Sequence, residues 1–158
     1  KEEIAVKVAV AALKYSMLKV GVSEDIAFDI NESVSVSGDS GPYLLYIVAR
    51  IKSILRKAGD APVSTLIPEQ VEMAEKTLLL HLSFFAEITK RAVLLYDPSV
   101  IAKYLYALAQ DFNVFYEQCS VLESADEVKA FRLKLLDLTR LVMERGLSLL
   151  GIETVEQM

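Results

Sequence analysis

Soft-donor chemistry is almost missing from these 158 residues: one cysteine, Cys119, one histidine, His81, and no tryptophan. A lone cysteine excludes an internal disulfide framework, and one cysteine with one histidine is too few for a zinc site. A nucleophile with a histidine base would have to use His81, which lies in the apolar run LLLHLSFF and reads as a histidine at the edge of a core. Cys119 reads as a small buried apolar residue. The six glycines and four prolines form no phosphate-cradling loop of either common spacing. No long apolar run is present either. A membrane span needs about 20 nearly uninterrupted apolar residues, and the best candidate, IAVKVAVAALKYSML, carries Lys7 and Lys14. Neither a membrane helix nor a signal peptide is expected. Glu69, Glu72 and Glu75 fall at i, i+3, i+6 and read as a solvated helix face. Nothing assembles a catalytic residue set, a metal site or a cofactor site.

What the chain does have is apolar surface. Hydrophobic residues make up 53% and mean hydropathy is +0.36, against a usual ~45–50% apolar. The length suits about one domain with a substantial core. The first residue is Lys1 rather than Met, and a helical pattern is already running by Ile4, so a piece of a longer polypeptide is expected. The apolar excess is then expected to pack against the remainder, with the first helix foremost.

The periodicity predicts an all-α bundle of five or six helices and no convincing strand. The first covers about 2–19, with Ile4, Val8, Ala11, Ala12, Tyr15 and Leu18 in step, and Gly21 ends it. Residues 22–41 read as a structured polar loop. A second helix is expected over about 41–58, followed by the breaker string AGDAPVS. Pro68 is expected to open the third, which bends or breaks near Ser83 and continues to about 95. Asp97 as cap and Pro98 as first residue start the next, reaching about 118. A last long helix runs from about Ala125 to Leu150 and closes at Gly151.

The second of these helices, GDSGPYLLYIVARIKSILRK, stands out because the chain as a whole is acidic, with 22 Asp and Glu against 17 Lys and Arg. Asp39, Ser40 or Gly41 can cap it, and Pro42 fits its first turn. Leu44, Ile47, Ile51, Ile54 and Leu55 form a core-facing stripe. Tyr43, Tyr46 and Arg50 share another face at spacings of three and four, and read as free for a different task. The ordinary alternative is that the tyrosines bury their rings and bond their hydroxyls to neighbours.

Three stretches carry a resemblance beyond periodicity: ALKYSMLK with FDINESVSVSGDSGPYLLYIVARIKSILRK, then YLYALAQDFNVFYEQCSVL, then FRLKLLDLTRLVMERGLSLLGIETVEQM. Together they resemble the helical anticodon-binding domain of arginyl-tRNA synthetases, often called the DALR domain. The likeness spans nearly the whole chain in the right order. Departures are Ser120 where proline is common, Ala86 in SFFAEI where Phe-Pro is common, and Gln157 where an arginine usually precedes the last methionine.

The resemblance implies a class I synthetase anticodon-binding fold, with 1–158 as a single domain and the enzyme's own catalytic domain upstream. It implies a parent that is an arginine-tRNA ligase, using ATP with magnesium, cytoplasmic and monomeric. This chain alone would be inert, lacking the HIGH-like and KMSK-like motifs. The implied partner is arginine tRNA. Unstacked loop bases can be read by aromatic and guanidinium planes, and Tyr43, Tyr46, Arg50 and Tyr116 match positions that the family lays against the anticodon loop. Met158 is nominated because the family's terminus approaches that loop. Lys52, Arg56 and Lys57 are phosphate-contact candidates. A basic stripe on the tyrosine helix, supported by Lys90 and Arg91 or by Arg132 and Arg140, is expected. The competing readings are the equivalent domain of another class I synthetase and a helical protein-interaction module docking through its first helix.

Overall fold

The computed structural model describes residues 2–158, and all regular structure among them is helical. The helices are α1 (Glu2–Leu18), α2 (Ile30–Ser33), α3 (Gly41–Ala58), α4 (Met73–Ser83), α5 (Phe85–Leu95), α6 (Ser99–Gln118) and α7 (Asp126–Leu149). Six of them are the helices read from periodicity. The seventh, α2, is a single turn inside the loop expected over 22–41; Asp29 starts it by accepting the Glu32 N–H at 2.9 Å.

Beside α6, which meets α1, α3, α4, α5 and α7, α3 packs against α1, α6 and α7. Its start follows from its sequence. Ser40 Oγ accepts the Tyr43 N–H at 3.2 Å, and Pro42 occupies the first turn, where no N–H is needed. Gly41 is required by contact: a Cβ there would lie 2.2 Å from the carbonyl oxygen of Ala11, so α1 and α3 meet backbone to backbone. A second close approach joins α6 and α7, where a Cβ on Gly146 would meet Leu105 Cδ2 at 2.5 Å. Leu44, Ile47, Ile51 and Ile54 are buried as their spacing predicts, with Leu55 partly buried.

Polar anchors fix the loops. Tyr15 is fully buried, and its hydroxyl reaches Asp39 Oδ1 at 2.6 Å and the Ala102 carbonyl at 3.1 Å, tying α1 to the lead-in of α3 and to α6. Desolvation, reinforced by the Asp39 carboxylate, pushes the phenol pKa up. Lys19 holds the same lead-in through the Asp39 carbonyl at 2.8 Å.

Two boundaries differ from expectation. Pro68 lies in the connecting loop, and α4 starts at Met73, where the Glu75 side chain turns back to accept the Glu72 N–H at 2.7 Å. A side-chain acceptor at the third helical residue fixes the start better than a proline five residues earlier. α6 begins at Ser99, one residue past Pro98, with Asp97 Oδ1 accepting the Ser99 N–H at 2.9 Å. The break near Ser83 is present, between α4 and α5.

The acidic face read into Glu69, Glu72 and Glu75 is also corrected. Glu75 is 1% exposed and bonds Arg132 Nε at 2.6 Å. Its carboxylate is affordable there only because Arg132 and the Glu72 N–H occupy both oxygens. The oily first helix is as expected. One side of α1 packs through Ala11, Ala12 and Tyr15, while Val6, Val10, Leu13 and Met17 are exposed along another.

Candidate nucleic-acid interface

α3 and α6 place Tyr46, Arg50 and Tyr116 together. Tyr46 and Arg50 are one turn apart on α3, and Tyr116 comes from the last turn of α6. The Arg50 guanidinium carbon lies 5.3 Å from the Tyr46 ring centroid and 4.7 Å from that of Tyr116, within cation–π range of both. Tyr116 is backed by the buried Phe112 ring in a stacked arrangement at 6.0 Å. Arg50 makes no ion pair among the described residues, so its charge faces π surfaces and solvent. Tyr46 and Tyr116 are 36% and 39% exposed. The result is a platform of two rings and one flat cation, accessible to a ligand with a π face.

Tyr43 is not free, contrary to its reading from spacing. It is buried, meets Tyr106 edge-on at 6.0 Å, and its hydroxyl accepts Asn113 Nδ2 at 2.7 Å and Gln110 Nε2 at 3.3 Å. Burial raises its pKa, with Tyr106 adding to the rise and Asn113 and Arg50 opposing it. The reason is angular: three residues along a helix is less than a full turn, so Tyr43 is rotated from Tyr46 toward α6. Asn113 and Gln110 were missed by the sequence reading. The signal was available, since Gln110, Asn113 and Tyr116 repeat every three residues on α6.

The cations of α3 divide. Lys52, expected to meet phosphate, has a side chain only 11% exposed and is bound by Glu144 at 2.8 Å and Glu156 at 2.6 Å. Burial alone would lower its pKa, but those two carboxylates outweigh it and raise it. Arg56 is exposed and donates from Nη1 to the Glu156 carbonyl at 3.1 Å. Lys57 is exposed, has no ion-pair partner among the described residues, and borders with Tyr116 a groove of about 500 Å³. Met158 is exposed two residues beyond Glu156, so the chain end is moored to the basic half of α3 rather than to the ring platform.

The expected supporting cations separate as well. Arg132 is committed to Glu75 and the Ser120 carbonyl, and Arg140 to Asp137 and Glu144 at 2.7 Å each. Lys90 and Arg91 are exposed on α5, which packs against α4 and α6. The expected stripe is therefore interrupted among the described residues: Lys52, Arg132 and Arg140 hold carboxylates, while Arg50, Arg56 and Lys57 do not. His81 and Cys119 sit as expected, the first half-buried with Nδ1 2.6 Å from Asp111 Oδ2, the second buried with its thiol pKa pushed up by desolvation. Among the described residues no cluster of His, Cys, Asp or Glu could hold a metal ion, and no helix is long and apolar enough to cross a membrane.

The described residues form an all-α bundle that displays two tyrosine rings and a guanidinium together where α3 meets α6. Comparison with known proteins carries this further. The chain belongs to the DALR anticodon binding domain family, whose model matches residues 44–158. It is similar to the arginine–tRNA ligases of Cutibacterium acnes, 41% identical over 98% of this chain and 30% of that protein, and Parabacteroides distasonis, 38% identical over 99% and 27%. Its fold matches the solved Thermus thermophilus arginyl-tRNA synthetase with a TM-score of 0.90 at 36% identity, covering 99% of this chain and 28% of that one. The Plasmodium falciparum arginyl-tRNA synthetase matches with a TM-score of 0.83 at 29% identity. The chain thus spans less than a third of the length of these relatives.

Proposed function

We propose that residues 1–158 form a single anticodon-binding domain that grips the anticodon loop of arginine tRNA for an arginine–tRNA ligase. The observation carrying this reading is the Tyr46–Arg50–Tyr116 platform in a chain of the DALR family. Unpaired loop bases offer π faces that rings and guanidinium planes stack upon, worth about 1–3 kcal/mol per base. Tyr46, Arg50 and Tyr116 would contact bases directly; Tyr43, buried and bonded to Asn113 and Gln110 of α6, would position the seam between α3 and α6. Lys57 and Arg56 are the phosphate contacts with charge still facing solvent, and Met158 would meet the loop only if the terminal segment leaves Glu156's mooring. Lys52 is better placed to hold that segment than to meet RNA.

The remainder of such a ligase would supply arginine activation with ATP and magnesium, and would pack on the exposed α1 stripe of Val6, Val10, Leu13 and Met17. A cytoplasmic, monomeric enzyme follows from the same reading. The test is binding of an arginine-tRNA anticodon stem-loop at fixed salt, beside hairpins with substituted anticodon bases, for wild type and Tyr46→Ala. Selective binding that Tyr46→Ala weakens about tenfold, one stacked base's worth, supports the platform. Equal, sequence-blind binding by both proteins removes it.

A further inference from the structure

Buried polar atoms in folded proteins are almost always hydrogen-bonded, and one that is not calls for a physical reason. Among the described residues a single buried side-chain atom lacks a partner: Oδ1 of Asn113. The other end of the same carboxamide is well used, Nδ2 donating to Tyr43 Oη at 2.7 Å. Turning the amide over would let Tyr43 donate to Oδ1, but would strand Nδ2 instead. One end is unpaired in either orientation.

Its position gives that orphan a use. Asn113 precedes Tyr116 by three residues on α6, as Tyr43 precedes Tyr46 on α3, so the Tyr43–Asn113 bond lies about one turn, ~5 Å, along the seam from the ring platform. That is close to the distance from the centre of a stacked base to a group at its edge. Gln110, exposed one turn earlier, reaches the same hydroxyl at 3.3 Å, a long bond on a flexible side chain that can yield to a ligand.

We propose that Asn113 is a specificity-determining residue: its unpaired amide end bonds the edge of a nucleobase stacked on Tyr46, Arg50 and Tyr116. This rests on the anticodon-binding reading above. In the orientation found, the free end is an acceptor, and it takes an exocyclic amino group of a base. Tyr43 is the positioning residue, holding one end of the carboxamide at 2.7 Å, and a base reaches the other end only by opening the contacts that now cover it.

The experiment measures binding of the 158-residue chain to anticodon hairpins differing at one loop base, amino-bearing cytosine against keto-bearing uracil, for wild type, Asn113→Ala, Asn113→Asp and Tyr46→Ala. Each loop position is substituted in turn. At one position wild type is expected to discriminate by about tenfold, the scale of a specific side-chain contact to a base edge. Asn113→Ala should bring that ratio near one with a smaller change for the disfavoured hairpin. Asn113→Asp, which keeps an acceptor at the free end while its other oxygen accepts a hydrogen bond from the Tyr43 hydroxyl, should retain it and guards against a folding artefact. A ratio unchanged in Asn113→Ala while Tyr46→Ala weakens every hairpin overturns the inference and leaves the platform standing, as for an oxygen that merely holds solvent. Indifference of binding to Tyr46→Ala removes platform and inference together.

Discussion

Along α3, the N-terminal half gives Tyr46 and Arg50 to a partner ring on α6, while the C-terminal half gives Lys52 and Arg56 to the chain's own terminal segment. Arg50 faces two tyrosine rings and makes no ion pair among the described residues, so no carboxylate holds its charge. Lys52 is held by two carboxylates and Arg56 by a backbone carbonyl. Two halves of one helix, comparably rich in polar groups, therefore differ in what is left over. Availability rather than number decides what a cation can bind. A net charge of −5 is compatible with the proposed stacking role, because stacking needs flat groups more than it needs a positive sum.

The largest expected effect breaks both halves at once. Gly41→Ala would place a methyl 2.2 Å from the Ala11 carbonyl, against backbone that no rotamer change can move. α1 must separate from α3, and a loss of about 3 kcal/mol is expected from overpacking at this severity. Thermal unfolding checks it; an unchanged Tm would mean that α1 and α3 are not in backbone contact.

Next comes the basic half alone. Lys52→Ala removes the bridge between α7 and the terminal segment, but Glu144 keeps Arg140 as a partner. A loss of about 1–2 kcal/mol is expected, the scale of charge-assisted hydrogen bonds with one exposed partner. Hairpin affinity should change less than about threefold, since one remote cation adds little to a stacking contact. A salt-dependent loss of affinity without destabilisation would return Lys52 to the role of a phosphate contact.

Arg50→Lys sharpens the comparison from the other side. Charge is kept, and the planar face between Tyr46 and Tyr116 is lost. Affinity for the anticodon hairpin is expected to fall by about fivefold, near 1 kcal/mol, with little change in unfolding. Affinity at the wild-type level would show that Arg50 acts as a point charge, making the two halves alike.

How much of this was legible in the sequence follows from the range of each interaction. The stripe of α3, its Ser40 cap and the Ser83 break are local, and periodicity with capping chemistry reaches them. The burial of Tyr43 is not legible in the sequence because a shared helical face is a coarse angle, and only the position of α6 decides which ring is covered. The pairing of Lys52 and Arg132 is out of reach for a related reason: Glu75 lies 57 residues from Arg132 and Glu156 lies 104 from Lys52, whereas Arg140 pairs locally with Asp137 and Glu144, at spacings of three and four that the sequence does display. Arg50 with Tyr116 was named as a set, although their stacking depends on the crossing of α3 and α6.

The smallest effect concerns the mooring itself and follows from charge linkage. Lys52 holds the Glu156 carboxyl below its ordinary value of 4.5, first by hydrogen bonding and then by direct attraction. A depressed acid stabilises the folded arrangement above its unfolded pKa and loses that contribution as pH falls through the lower, folded one. Lys52 works in the opposite sense. Its pKa is raised above 10.5, so its contribution is complete below that value and lost as pH rises through the folded one. The terminal segment should stay moored across the whole neutral range and loosen from below pH 4.5 downward, while the platform, which has no carboxylate in it, is unaffected. The Met158 methyl resonance, followed by NMR against pH, should shift toward its free-peptide position in acid, with the Tyr46 and Tyr116 ring resonances constant as long as the fold persists. Lys52→Ala should place Met158 near that position already at neutral pH. A methyl that does not respond to either change would mean that Ile152 and Val155, both buried, hold the segment without the ion pair.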